Sequence, residues 1–288
     1  MSKFKGFDYI KLSNYQEITD YLLDTDCQVH ELGLSSNDDM IYGLSVGDLT
    51  KPMIFIDGTM HGAHEWRCTH WVKEFIERID KPLLDDNKAI IDELKSKFCF
   101  MVIPCLNTYG YLNNSYNNAN GVNLNRNFSV GWDNYKVTGY DVPGNSNYKG
   151  ASAMSETESQ IIQNVFDTYR VVGHVNCHTW GGAYGGIFET GSTNIPQRTF
   201  LNAVMEELKV TLPAVAGGLV IRYKSTPSIP WVNEWGASQS SKSGRNTVSV
   251  IFETGSEETD YVKAEIGMTG LFIFSKRMLK LYETTIQI

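Results

Sequence analysis

Apolar residues in this chain gather in short dense blocks, separated by longer stretches of helical spacing. The blocks Val29–Leu34, Met40–Val46, Met53–Asp57, Phe98–Pro104, Val171–Cys177, Gly186–Glu189, Gly218–Tyr223 and Val248–Glu253 are rich in β-branched and aromatic side chains and alternate little. That pattern predicts strands buried on both faces, as in the middle of a parallel sheet. Between them, Tyr15–Leu23, Glu65–Ile79, Asp86–Lys97, Ser155–Tyr169, Pro196–Lys209 and Asp260–Glu283 read as helices. Ser155 with Glu158 three residues on reads as a capping box opening the fourth of them. Strands alternating with helices predict an α/β fold: an α/β/α sandwich whose mixed sheet is parallel at its centre. No linker or fixed-period repeat interrupts residues 1–288, so a single domain is expected. The hexapeptide IFETGS, at Ile187–Ser192 and again at Ile251–Ser256, reads as two similar strand exits.

One segment breaks the pattern. Leu106–Phe128 predicts a long loop, crowded with asparagines around a lone Arg126, and long loops in compact domains are usually functional or disordered. Composition narrows the class. With 42% hydrophobic residues the chain can bury a core without staples, and a net charge of −8 speaks against a nucleic-acid partner. Five scattered cysteines with no C-x-x-C spacing predict no disulfide scaffold and fit a reducing compartment. The opening residues lack a basic stretch followed by an apolar run, so no signal peptide is expected. A cytoplasmic location, or carriage on a phage particle, fits that reading. No apolar run approaches the roughly 20 residues needed to cross a bilayer, so no membrane partner is expected.

The histidines carry the candidate chemistry. After the strand Met53–Asp57, the stretch from Asp57 to Trp66 reads DGTMHGAHEW. It puts His61 and a following carboxylate or imidazole at the C-terminal edge of a sheet, where open α/β sheets bind ligands. A catalytic zinc takes three protein ligands and keeps one position open. His178, at another strand end, is the third candidate; His174, inside that strand, reads as a hydrogen-bonded core residue, and His30 and His70 as structural or surface residues.

Read in order, these segments resemble the zinc carboxypeptidase family, the carboxypeptidase A-like metallopeptidases. His61 with Glu65-Trp66 resembles the family's H-x-x-E-W signature, and Gly121-Val122-Asn123-Leu124-Asn125-Arg126-Asn127-Phe128 its G-V-D-L-N-R-N-F loop. Asn107-Thr108-Tyr109-Gly110, Tyr148-Lys149-Gly150, Ser155–Glu158, His178, the Tyr223–Trp231 stretch and Phe252-Glu253 follow in the family's order. The resemblance implies Zn2+ held by His61, Glu65 and His178, with Glu253 as general base. It also implies Asn125 and Arg126 on the substrate's terminal carboxylate, Tyr223 closing over it and Ile229 flooring the side-chain pocket.

Two departures stand out. Counting from Pro52 puts His64, not Glu65, at the family's glutamate position, whereas Glu65-Trp66 preserves the dipeptide. Residues three and four positions on both face the same way near a helix start, so both remain candidates, the carboxylate favoured because it lowers the charge of the site. The family's carbonyl-polarising arginine is replaced by Tyr116; that tyrosine, a nearby asparagine, Arg222 or Arg245 is expected to take its role. Glu189, in the same FETG context as Glu253, is the rival base. The expected activity is hydrolysis of an amide beside a free carboxylate, on a peptide C-terminus. The alternatives are an N-acyl-amino-acid deacylase of the aspartoacylase and succinylglutamate desuccinylase type, a peptidoglycan peptidase, or a zinc- and carboxylate-binding module without catalysis.

Overall fold

The computed structural model describes residues 9–83, 86–180, 187–190, 195–214, 218–223, 229–239, 247–255 and 259–286. Its strands are β1 (Gln28–Leu34), β2 (Met40–Val46), β3 (Met53–Gly58), β4 (Cys99–Ile103), β5 (Val171–Trp180), β6 (Ile187–Thr190), β7 (Val220–Tyr223) and β8 (Val248–Gly255). Its helices are α1 (Tyr15–Leu23), α2 (Cys68–Asp80), α3 (Lys88–Lys97), α4 (Thr108–Asn113), α5 (Thr157–Thr168), α6 (Ile195–Thr211), α7 (Val232–Ser238) and α8 (Asp260–Ile286). The strands form one eight-stranded sheet in the order β1-β2-β4-β3-β5-β8-β6-β7. β4, β3, β5 and β8 run parallel, and β1, β2 and β6 pair antiparallel with their inner neighbours.

Burial follows from that layout. β3 and β4 are buried along their whole length, as their unbroken apolar runs predict. β1, at the edge, leaves Val29 and Leu34 exposed, because an outer strand has a neighbour on one side only. On one face Ile54, Ile56, Val175, Val250 and Phe252 pack with Trp71 and Phe75 of α2, Leu201 of α6 and Phe274 of α8. On the other, Phe55, Met101 and Ile103 meet Ile162 and Phe166 of α5 and Trp235 of α7. Each large side chain so buried contributes about 1.5–3 kcal/mol. Helices cover both faces, giving the expected α/β/α layering.

The connections position the site. β3 passes to β4 through α2 on the first face, and β4 passes to β5 through α5 on the second. The chain therefore reverses direction across the sheet between β3 and β5, which opens a crevice beyond their C-terminal ends.

Several local expectations need correction. The predicted helix from Glu65 begins as a 3-10 turn, Ala63–Arg67, before α2. The capping box does not form: α5 is preceded by Glu156, while Glu158 accepts bonds from Ser36 N (3.0 Å) and Oγ (2.6 Å). Leu106–Phe128 is not a structureless loop. It contains α4 and a 3-10 turn at Leu124–Arg126, and Asn107, Asn117, Asn118, Asn123, Asn125 and Asn127 are buried while Asn113, Asn114 and Asn120 stay exposed; Asn118 Nδ2 donates to Glu156 at 2.7 Å and Asn127 Nδ2 to the Lys149 carbonyl at 2.9 Å. The five cysteines are buried and unbridged. Among the described residues no helix is long and apolar enough to cross a membrane.

Candidate active site

The site starts at the exit from β3. Thr59 adopts φ 55°, a left-handed conformation unusual for a β-branched residue, and local strain of this kind clusters at functional sites. Its hydroxyl lies 2.8 Å from that of Thr69, and its carbonyl accepts from Asn107 N at 3.1 Å. The chain then turns tightly over α4: a Cβ built on Gly62 would lie 1.7 Å from the Gly110 carbonyl carbon. In the 3-10 turn that follows, Glu65 and Trp66 are buried and His64 is exposed.

β5 runs on to Trp180, so His178 lies within the strand rather than in a turn after it. Alternation puts His174, Asn176 and His178 on one face, with Val175 and Cys177 in the apolar core opposite. The exit turn and the strand bring His61, Glu65 and His178 together, each 2% exposed, with one ligand atom from each within 4.8 Å of the others. His178 Nδ1 lies 2.8 Å from Glu65 Oε2, and its Nε2 bonds to Asn176 Oδ1. His61 lies flat on Tyr116, ring centroids 3.8 Å apart, with Nδ1 3.3 Å from the Tyr116 carbonyl. Donation to that carbonyl leaves the Nε2 lone pair for a ligand. Two imidazoles and a carboxylate, buried and convergent, are the donor set of a catalytic zinc with a coordination position to spare.

The electrostatics separate the two imidazoles. Burial drives His61 well below the ordinary imidazole pKa, and the charges of His178 and Arg126 push the same way. His178 is pushed down by its burial too, but the charge and hydrogen bond of Glu65, with Glu253 and Asp57, lift it to about 9. The metal-free pair thus carries its proton on His178, facing Glu65.

Glu253 is half-buried and pairs in register with His178 across β5 and β8. Asn125 is buried; its Oδ1 accepts from Val232 N at 3.0 Å, which leaves its amide nitrogen as the donor. Arg126 is half-buried, gives Nε to Tyr135 Oη (3.0 Å) and Nη1 to the Asn125 carbonyl (2.8 Å), and faces Trp231. Among the described residues no carboxylate pairs with it. Ile229 is half-buried. Tyr223 ends β7, but its side chain lies outside the described residues, as do those of Arg222, Arg245 and Glu189. Sequence reasoning missed Asp57 and Asn176, both fully buried. Their signal was polar residues on alternate positions of strands otherwise apolar on both faces.

Residues 23–286 match the family model for zinc carboxypeptidase. Carboxypeptidase B from Astacus astacus is 30% identical over 184 residues, covering 54% of this chain and 57% of its own. Mast cell carboxypeptidase A from Rattus norvegicus is 30% identical over 150 residues, covering 46% of this chain and 35% of its own. The chain spans less than two thirds of the length of these curated relatives. A metallo-carboxypeptidase structure from Burkholderia cenocepacia superposes with a TM-score of 0.67 at 14% identity, covering 93% of this chain and 68% of that one. The fold is shared at that distance, and the family model spans nearly the whole chain: this protein belongs to the zinc carboxypeptidase family.

Proposed function

We propose that this chain is a zinc-dependent metallocarboxypeptidase that releases the C-terminal residue of a peptide. The buried His61–Glu65–His178 group, with Arg126 close enough for its charge to act on His61, is the observation that carries this reading. When bound by these three side chains, zinc supplies a Lewis acid and a water acidified toward a pKa of about 7. Glu253 holds the proton taken from the attacking water and delivers it to the leaving amine. Its register with His178 and its charge on Tyr116 support that role over Glu189. Arg126 pairs with the terminal carboxylate, a match for its planar fork, and the Asn125 amide adds a donor. Tyr223 closes over that carboxylate, and Ile229 floors an apolar side-chain pocket.

Tyr116 takes the place of the missing arginine. Burial, with Glu65's charge, pushes its phenol far up, so it stays a protonated donor for the developing oxyanion. The five buried, unbridged cysteines support a reducing, cytoplasmic setting. The relatives are named as carboxypeptidases, which favours a terminal peptide bond over an N-acyl amino acid, a murein peptide or a module without catalysis.

Metal analysis combined with a panel of blocked dipeptides, N-acyl amino acids and murein peptides tests the reading. About one zinc per chain and release of the C-terminal residue from blocked dipeptides is expected. A preparation that takes up no zinc, or that cleaves only internal bonds, contradicts it.

A further inference from the structure

Behind His178 runs a line of buried polar groups. Asn176 Oδ1 bonds to His178 Nε2, and Asn176 Nδ2 donates to Asp57 Oδ1. Asp57 Oδ2 lies 2.8 Å from His174 Nε2, and His174 Nδ1 lies 2.7 Å from Ser249 Oγ. Asp57, Asn176, His174 and Ser249 are all fully buried, so water cannot substitute for any member.

The direction of each bond follows from chemistry. An ionised carboxylate only accepts, so Asp57 takes a hydrogen from His174 on one oxygen and from Asn176 on the other. The Asn176 amide is thereby oriented: its nitrogen faces Asp57 and its oxygen faces His178. An oxygen there requires a hydrogen on His178 Nε2, which leaves Nδ1 to face Glu65 and the ligand group.

We propose that Asn176, oriented by Asp57 and His174, is a positioning residue that commits His178 to offering Nδ1, and not Nε2, to the metal. The inference rests on the zinc reading above. Asp57 comes from β3 and Ser249 from β8, so the line also ties the ligand to the strands flanking β5.

The test combines chelator competition for zinc with 15N NMR of histidine-labelled protein, on the wild type, Asn176→Leu and Asp57→Asn. Outer-sphere partners of metal-bound histidines typically contribute about 10–100-fold in affinity. We expect the wild type to bind zinc with His178 metal-bound at Nδ1 and protonated at Nε2, and both variants to lose affinity in that range. Metal-free melting of each variant separates this loss from a loss of fold. Variants that hold zinc as tightly as the wild type overturn the inference and leave the zinc reading standing. If neither variant folds, the wild-type spectrum still decides: metal on Nε2 and a proton on Nδ1 overturn it. A wild type that takes up no zinc removes both.

Discussion

At the scale of single residues, the choice between Glu65 and His64 shows what spacing alone could not supply. Both lie within reach of His61 in sequence, and an α-helical reading puts either toward the site. The chain instead forms a 3-10 turn, and only there does Glu65 go inside while His64 stays in solvent. Glu65→Gln is therefore expected to weaken zinc binding by more than about 100-fold, beyond an outer-sphere effect, and His64→Gln to leave it within about threefold of wild type. Zinc competition with a chromophoric chelator reads both, and the reverse order moves the ligand to His64. Glu253→Gln is expected to keep zinc and fold but to lose about 10²–10⁴ in kcat/KM, the usual worth of a general acid–base. Equal activity in that variant would take the base role from Glu253.

The proton on His178 gives a pH dependence. Its folded pKa lies above the ordinary value, so the metal-free His178–Glu65 pair is fully favourable below about 6.5 and is lost as pH rises through about 9. Zinc must displace that proton. Its apparent affinity should rise about tenfold per pH unit between roughly 7 and 9 and level off above. His61, driven low by burial, adds no further proton in that window. An affinity independent of pH from 7 to 9 contradicts the assigned proton.

At the scale of elements, the central strands were legible because burial on both faces leaves an unmistakable apolar run. What remained hidden was polar structure whose partners are distant in sequence. The Ser155–Glu158 box fails because Glu158 is drawn to Ser36, a partner 122 positions away. α7 went unread because it is short, and its first turn is tied to the asparagine loop by Asn125. The His174–Asn176–His178 stripe was in view as alternation, but a strand expected to end at Cys177 concealed that His178 shares its face. Element packing yields its own prediction at Gly62. An alanine there has no room against the Gly110 backbone, so Gly62→Ala must displace either α4 or the turn that carries Glu65. Overpacking of this kind costs about 3 kcal/mol or more. Thermal melting should show the loss together with weakened zinc binding, and an unchanged melt would mean the turn is not held against α4.

At the scale of the whole molecule, the sheet order and its reversal between β3 and β5 bring residues more than a hundred positions apart to one crevice. The order of motifs along the chain made that legible in outline. The placement of Arg126 needed the fold, because its position beside Trp231 depends on Asn125 anchoring α7. Its guanidinium is held by Tyr135 and the Asn125 backbone carbonyl. In the proposed function Arg126 pairs with the substrate's terminal carboxylate, so removing it should leave that anion unpaired, at a cost of about 2–5 kcal/mol. Arg126→Met should lower kcat/KM on free-acid substrates by roughly 30- to several-thousand-fold, with zinc content unchanged.

The most direct single measurement compares the zinc-loaded wild type on one blocked dipeptide in two forms, free acid and C-terminal amide, following release of the terminal residue. The account predicts cleavage of the free acid, with a kcat/KM roughly 30-fold or more above that of the amide. Equal rates on the two forms would contradict it, because recognition of a terminal carboxylate by Arg126 would then play no part in the reaction.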